Sequence, residues 1–168
     1  MNTQELYDYL HTNYEYRDGH LYYKVAVSKK IKPGTKAGHE NLNWYSGIRI
    51  CNKHYKLHRI IFLYHNKYLP KLVDHINQIK NDNRIENLRE ATHTENHLNT
   101  KKHSDNNSGY KGVSWNKNHQ KWQARICVDK KQIWLGLHPT PELAYEAYCN
   151  YCKVNLTIYC LGDNNGSV

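Results

Sequence analysis

Residues 73–100 read VDHINQIKNDNRIENLREATHTENHLNT and concentrate side chains suited to cutting a phosphodiester. Such hydrolysis needs an activated water, charge neutralisation on the phosphate and help for the leaving oxygen; a divalent ion supplies the last two. Asp74 and the amide oxygen of Asn96 are hard donors, and Mg²⁺ commonly takes one or two protein ligands while keeping several waters. His75, beside Asp74, is a general base whose ordinary pKa of about 6.5 suits water activation near neutrality. Asn87 suits a hydrogen bond that holds the imidazole in place. Arg84 reaches either a phosphate or a nearby carboxylate, Glu86 or Glu90, and His97 stands as a substitute ligand beside Asn96. Asn77, Asn81 and Asn83 read as turn formers, because Asn side chains bond their own backbone.

These residues need a hairpin and a helix. Adjacent strand side chains face opposite ways, so a bend or hairpin end must bring Asp74 and His75 to one cleft. Thr92-His93-Thr94-Glu95 fits a capping box that opens a helix carrying Asn96. Upstream, TQELYDYLHT is weakly helical, and Asp18-Gly19 between aromatics predicts a hairpin. SGIRICNKHYKLHR alternates around an Asn52-Lys53 turn, and LHRIIFLYHNKYL (57–69) predicts a buried helix ended by Pro70.

A second module follows KKHSDNNS (101–108), which reads as a linker. KWQARICV alternates, with Trp122, Ala124, Ile126 and Val128 opposite Lys121, Gln123, Arg125 and Cys127. QIWLGLH repeats the pattern, with Ile133, Leu135 and Leu137 opposite Gln132, Trp134 and Gly136. Asp129-Lys130-Lys131 makes the turn between them. Thr140-Pro141-Glu142 starts a helix with an N-cap, a Pro at the first position and an acid at the positive end. Its apolar stripe runs through Leu143, Ala147, Tyr151 and Val154, widened by Ala144, Tyr148 and Cys152. The reading is a three-stranded sheet with one face covered by a helix and the other carrying Lys121, Arg125, Gln132 and Trp134.

The spacing of Asp74-His75, Asn87 and Asn96, with the flanks LHRIIFLYHNKYLP and DNRIENLREAT, closely resembles the HNH endonuclease family, in particular its phage and intron-homing branch. That resemblance implies a ββα-metal motif in which Asp74 and Asn96 bind a single Mg²⁺-like ion, Mn²⁺ being the substitute. It further implies His75 as base and Asn87 as its orienting residue. Residues 109–155 resemble the AP2 DNA-binding domain through Tyr110-Lys111-Gly112-Val113, Lys121-Trp122, Trp134-Leu135-Gly136, Ala144-Tyr145 and Ala147-Tyr148. That family lays its sheet in the major groove. Carried over position by position, Lys111 stands where Arg is usual, and Trp134 matches a contacting Trp. Ser114, Asn116, Cys127 and Gln132 replace arginines, and Arg125 replaces an acid. The sheet is therefore expected to read DNA, at a different sequence.

The 168 residues carry a net charge of +9 and are 39% apolar, favouring small cores and a polyanionic partner. Lys101, Lys102, Lys111, Lys117, Lys121, Lys130 and Lys131 are the expected phosphate contacts. Fifteen Tyr and four Trp against one Phe suit half-wet surfaces. Five cysteines without a disulfide framework point to a reducing compartment, and IIFLY (60–64) is far too short to span a bilayer. A cytoplasmic location, that of the host cell if phage-encoded, is expected. Cys51, His54 and His58, and the Cys149–Cys152 pair, have ligand-like separations, but they read as strand and core positions, so no structural zinc is expected.

The fold class expected is α+β. An HNH nuclease domain spans 1–100, with a β-rich N-terminal region over 1–54 and a ββα-metal core over about 55–100. A linker at 101–108, an AP2-like domain at 109–160 and a tail at 161–168 follow. The expected function is metal-dependent cleavage of double-stranded DNA by a monomer or weak homodimer. The rival is a non-catalytic DNA-binding regulator that keeps an HNH scaffold.

Overall fold

The computed structural model describes residues 1–41, 44–100 and 105–156. The tail at 161–168, the end of the second domain at 157–160, and Lys101 and Lys102 lie outside the described residues. The fold is mixed, with small antiparallel sheets, and divides into two compact units, Met1–Ala91 and Thr92–Val168.

The first unit opens with α1 (Thr3–Asn13), whose Asn2 and Glu5 form a capping box. Two hairpins follow: β1 (Tyr14–Arg17) with β2 (His20–Tyr23), then β3 (Gly47–Ile50) with β4 (Lys53–Lys56). The first turns at Asp18-Gly19, as the sequence predicts. The second turns at Cys51-Asn52, one residue earlier than expected, because both residues adopt positive φ (45° and 63°) and Ile50 pairs Lys53. Helix α2 (Leu57–Asn66) buries Leu57, Ile60, Ile61 and Leu63 against Leu6, Leu10, Leu21, Ile48 and Ile50. It stops before Pro70: Lys67 enters the left-handed region at φ 64° and donates its backbone N–H to the Leu63 carbonyl. The unit closes with β5 (Val73–His75) antiparallel to β6 (Leu88–Glu90), bridged by a long loop that ends in a 3₁₀ turn over Ile85–Asn87.

The second unit holds α3 (His93–Leu98), the sheet β7 (Val113–Asn116), β8 (Lys121–Val128) and β9 (Lys131–His138), and α4 (Pro141–Asn155). The Thr92–Glu95 capping box and the Thr140 cap both form as the sequence predicts. Within the stretch read as linker, Asn106 and Ser108 are tied to the unit. Ser108 Oγ lies 2.9 Å from the carbonyls of Tyr110 and Val113, and Asn106 Nδ2 donates to the Tyr110 carbonyl at 2.8 Å.

Two patterns differ from the sequence reading. On α4 the buried positions are Ala144, Tyr148 and Cys152, whereas Leu143 and Val154 are exposed. The helix thus rests on its smallest side chain, with Ala144 beside Ala124 and Val113, which permits a close approach to the sheet. On β9 a bulge intervenes: Trp134 pairs Arg125 while Gly136, at φ 111°, pairs Ala124. Leu135 is the extra residue, so Leu137 falls opposite Gln123 on the uncovered face and leaves the core to Ile133 and Leu135.

Candidate functional site

β5 and β6 position the candidate residues of the first unit. Their register puts Asp74 directly across from Arg89, whose Nε and Nη2 donate to Asp74 Oδ2 at 3.2 and 3.0 Å. Asp74 is 8% exposed, so this charge-assisted pair compensates a nearly buried carboxylate and fixes its orientation. Arg89 is not among the residues that the sequence singles out. Its position across from Asp74 is a matter of hairpin register, which the long intervening loop conceals.

His75 is the last residue of β5 and is buried. Its Nε2 lies 3.0 Å from Asn83 Oδ1. With a carbonyl oxygen facing it, Nε2 carries the hydrogen and donates, which leaves the basic lone pair on Nδ1. The ring packs beside His58 (4.9 Å between centroids, edge-on) and stacks with Tyr45 at 5.8 Å. Burial holds the His75 pKa below its ordinary value, against the pull of the Asn83 hydrogen bond and the carboxylates of Asp74 and Asp82. The imidazole is therefore neutral at neutral pH, the form a base requires. His58, 4% exposed, is pushed down to about 3 by burial and by the charges of His75, Lys56 and Arg59. It is a core residue of α2, in keeping with the core position that its sequence context suggests.

Asn87 does its work through the loop. Its Oδ1 accepts from the Asn77 backbone N–H at 2.9 Å, and its Nδ2 donates to Asn77 Oδ1 at 2.9 Å and the Asp82 carbonyl at 2.7 Å. Both amide hydrogens are used there, so the carboxamide facing the imidazole is that of Asn83, not Asn87 as expected. Asn83, 2% exposed, reads in the sequence as a turn former, and Asn at 77, 81, 83 and 87 alike gives no signal for which one turns inward. Arg84 also departs from expectation. It pairs with neither Glu86 nor Glu90 but grips Asp82 through Nε and Nη2, both at 2.8 Å, holding that carboxyl down at about 2.

The second unit holds Asn96 on α3 and a polar lattice on the uncovered face of its sheet. Gln123 is the hub: its Nε2 donates to Ser114 Oγ at 2.8 Å, and its Oε1 accepts from Asn116 Nδ2 at 3.0 Å and Arg125 Nη2 at 2.9 Å. Arg125 lies over the Trp134 ring, 5.2 Å from its centroid, and Trp134 is 50% exposed. Ser114, Lys121 and Gln132 are exposed on the same face. Strict alternation places Gln123 on this face, but its role depends on cross-strand neighbours that the sequence does not display. Lys111 sits apart: its ammonium reaches the carbonyls of His97, Leu98 and Thr100 at 2.8 to 2.9 Å. Of the residues with zinc-like spacing, Cys51 is exposed in a turn, His58 is in the α2 core, and Cys152 is on the buried face of α4.

Residues 55–98 match the family model for HNH endonucleases, and residues 108–155 match that of the AP2 domain. The chain thus carries an HNH endonuclease segment followed by an AP2 domain, the order that the sequence motifs imply. Over 69 residues it is 36% identical to Protein 3.8 of Escherichia phage T7, a match covering 40% of this chain and 57% of that protein. The chain therefore spans little more than half the length of that relative. No solved structure matches the chain. Among the described residues, no helix is long and apolar enough to cross a membrane.

Proposed function

We propose that the protein is a metal-dependent endonuclease of double-stranded DNA, of the homing or nicking type carried by phages and mobile elements. The observation that carries this reading is a buried, neutral His75, fixed through Nε2 and adjacent to Asp74, within the segment that matches HNH endonucleases. Asp74 and Asn96 would hold the cation. A carboxylate and a carboxamide oxygen fit a small hard ion such as Mg²⁺ or Mn²⁺, with water completing the shell. When bound, such an ion neutralises charge on the scissile phosphate and eases departure of the leaving oxygen.

The chain's own residues supply the rest. His75 Nδ1 takes a proton from water, the resulting hydroxide forms a new P–O bond, one ester P–O bond breaks, and the leaving oxygen is protonated by solvent. Asn83 stabilises the imidazolium that forms, because its carbonyl accepts from Nε2 in both protonation states. Asn87 keeps the loop that presents Asn83, and Arg89 keeps Asp74 aligned. The AP2 sheet binds duplex, with Trp134, Arg125, Ser114, Asn116 and Gln132 toward the major groove and Lys121 toward phosphate, and its covalent tether to the HNH segment raises the local concentration of duplex there. One such centre cuts one strand, so a monomer nicks.

A supercoiled plasmid tests this. Relaxed circles should accumulate with Mg²⁺, stop with chelator, and be absent with His75→Ala although that variant still binds DNA. Binding without nicking under Mg²⁺ or Mn²⁺ would leave a regulator that uses the HNH segment as scaffold.

A further inference from the structure

Helix α3 has six residues, too few to hold itself together in water. Its first turn is closed by the Thr92–Glu95 capping box, so its persistence depends on what holds its other end and its flank. Three groups of the second unit do so. Lys111 Nζ lies 2.9 Å from the His97 carbonyl, 2.8 Å from those of Leu98 and Thr100, and 3.1 Å from Thr100 Oγ1. Thr94 Oγ1 donates to Asp129 Oδ1 at 2.7 Å and receives the Asp129 backbone N–H at 3.3 Å, which binds the helix to the β8–β9 turn. Leu98 packs with the cluster of Ile126, Tyr148 and Cys152. A lysine among the last carbonyls of a helix satisfies acceptors that have no intrahelical partner and opposes the negative end of the helix dipole. Gly112, next to Lys111, has φ 75° and the Tyr148 ring against it, so no larger residue fits there.

We propose that Lys111 and the Thr94–Asp129 pair are positioning residues for Asn96, and that Lys111 serves α3 in place of a DNA phosphate. The AP2 sheet then does more than bind duplex: it is the platform on which the helix bearing the last ligand is built. This rests on the reading of Asn96 as a ligand, but its test does not. An ammonium that already faces four oxygen atoms within 3.1 Å has its three hydrogens committed, so reaching for a phosphate would uncap the helix.

The full-length chain is compared with Lys111→Gln, Lys111→Arg and Thr94→Val in three measurements. With chelator present, duplex affinity and its salt slope should be unchanged within about twofold in all three, because Lys111 makes no phosphate contact. Hydrogen exchange at the Asn96 and Asn99 amides, which bond the Thr92 and Glu95 carbonyls, should accelerate about tenfold or more in Lys111→Gln and Thr94→Val. Lys111→Arg, which keeps donors in reach, should restore much of that protection. With Mg²⁺, kcat should fall in step with lost protection while KM holds.

A drop in salt slope of about one with α3 protection intact would make Lys111 a phosphate contact and overturn the proposal. Thr94→Val, which leaves Lys111 in place, decides the matter if Lys111→Gln does not fold: unchanged exchange there overturns the anchoring. If the wild type never nicks but the exchange pattern is as described, the anchoring stands and the ligand role of Asn96 falls.

Discussion

Acid should destabilise the first unit through one residue. His58 is nearly fully buried on α2 and keeps a neutral ring down to a pKa of about 3, whereas in the unfolded chain it takes a proton at about 6.5. Between those values the unfolded state binds more protons, so stability falls as pH falls, and above about pH 7.5 the effect vanishes. At about pH 5 the unfolded imidazole is protonated about 30 to 1, and RT ln 30 is about 2 kcal/mol lost to this group. The figure scarcely changes if the folded pKa lies a unit higher, because the folded ring is neutral at pH 5 either way. Urea unfolding monitored at Ile60 and Ile61, both fully buried, should move its midpoint down by about 1 to 2 M between pH 7.5 and 5 from this group alone. His58→Leu removes the titrating ring and a buried Nδ1 that has no hydrogen-bond partner among the described residues, and should lose that much less over the same interval. A residual dependence should persist from His75, which burial also depresses. If His58→Leu and wild type lose equal stability on acidification, the argument from burial is wrong.

Other outcomes follow from the same structure. Because burial lowers the His75 pKa, the acid limb of kcat/KM for DNA nicking should fall below pH about 6.5, so that activity persists into mildly acidic buffer; a limb above that value would contradict it. Gly112→Ala would drive a Cβ to 2.4 Å from the Tyr148 ring and 2.7 Å from the Arg125 carbonyl at a positive φ, costing about 2 to 4 kcal/mol and abolishing DNA binding, as denaturation and a gel-shift assay would report. Gln123→Ala, which unties Ser114, Asn116 and Arg125 together, should cut discrimination between cognate and random duplex by about 10-fold or more with salt dependence retained. Asn87→Ala should release the loop that carries Asn83 and lower kcat about 10-fold or more while duplex binding is unchanged, measured on plasmid and by gel shift.

Much of the fold was legible because local signals agreed with one another. Asp18-Gly19, the two Thr caps, and the alternation of KWQARICV each predict what forms. What stayed hidden was set by register and packing between distant residues. Nothing local says that Arg89 faces Asp74, since the loop between their strands fixes the offset. Nothing local says that Asn83 rather than Asn87 meets the imidazole, since either amide could turn inward until the Asn77 and Asp82 contacts are known. A broad helical stripe did not reveal that α4 sits on Ala144, Tyr148 and Cys152, because the choice depends on the small residues opposite it. The β9 bulge hinges on Gly136 adopting a φ of 111°, which alternation alone reads straight through. Nothing local says that the Lys111 ammonium meets the carbonyls of His97, Leu98 and Thr100, since the fold brings them together.

Chemical rescue of His75→Gly asks whether this imidazole is the base that deprotonates the attacking water. The variant should bind duplex like the wild type, fail to nick plasmid with Mg²⁺, and regain nicking when imidazole is added, with a pH dependence that follows the added base in place of the buried ring. Nicking by the variant at the wild-type rate without imidazole would show that the proton of the attacking water goes elsewhere, and the account of the site would fail.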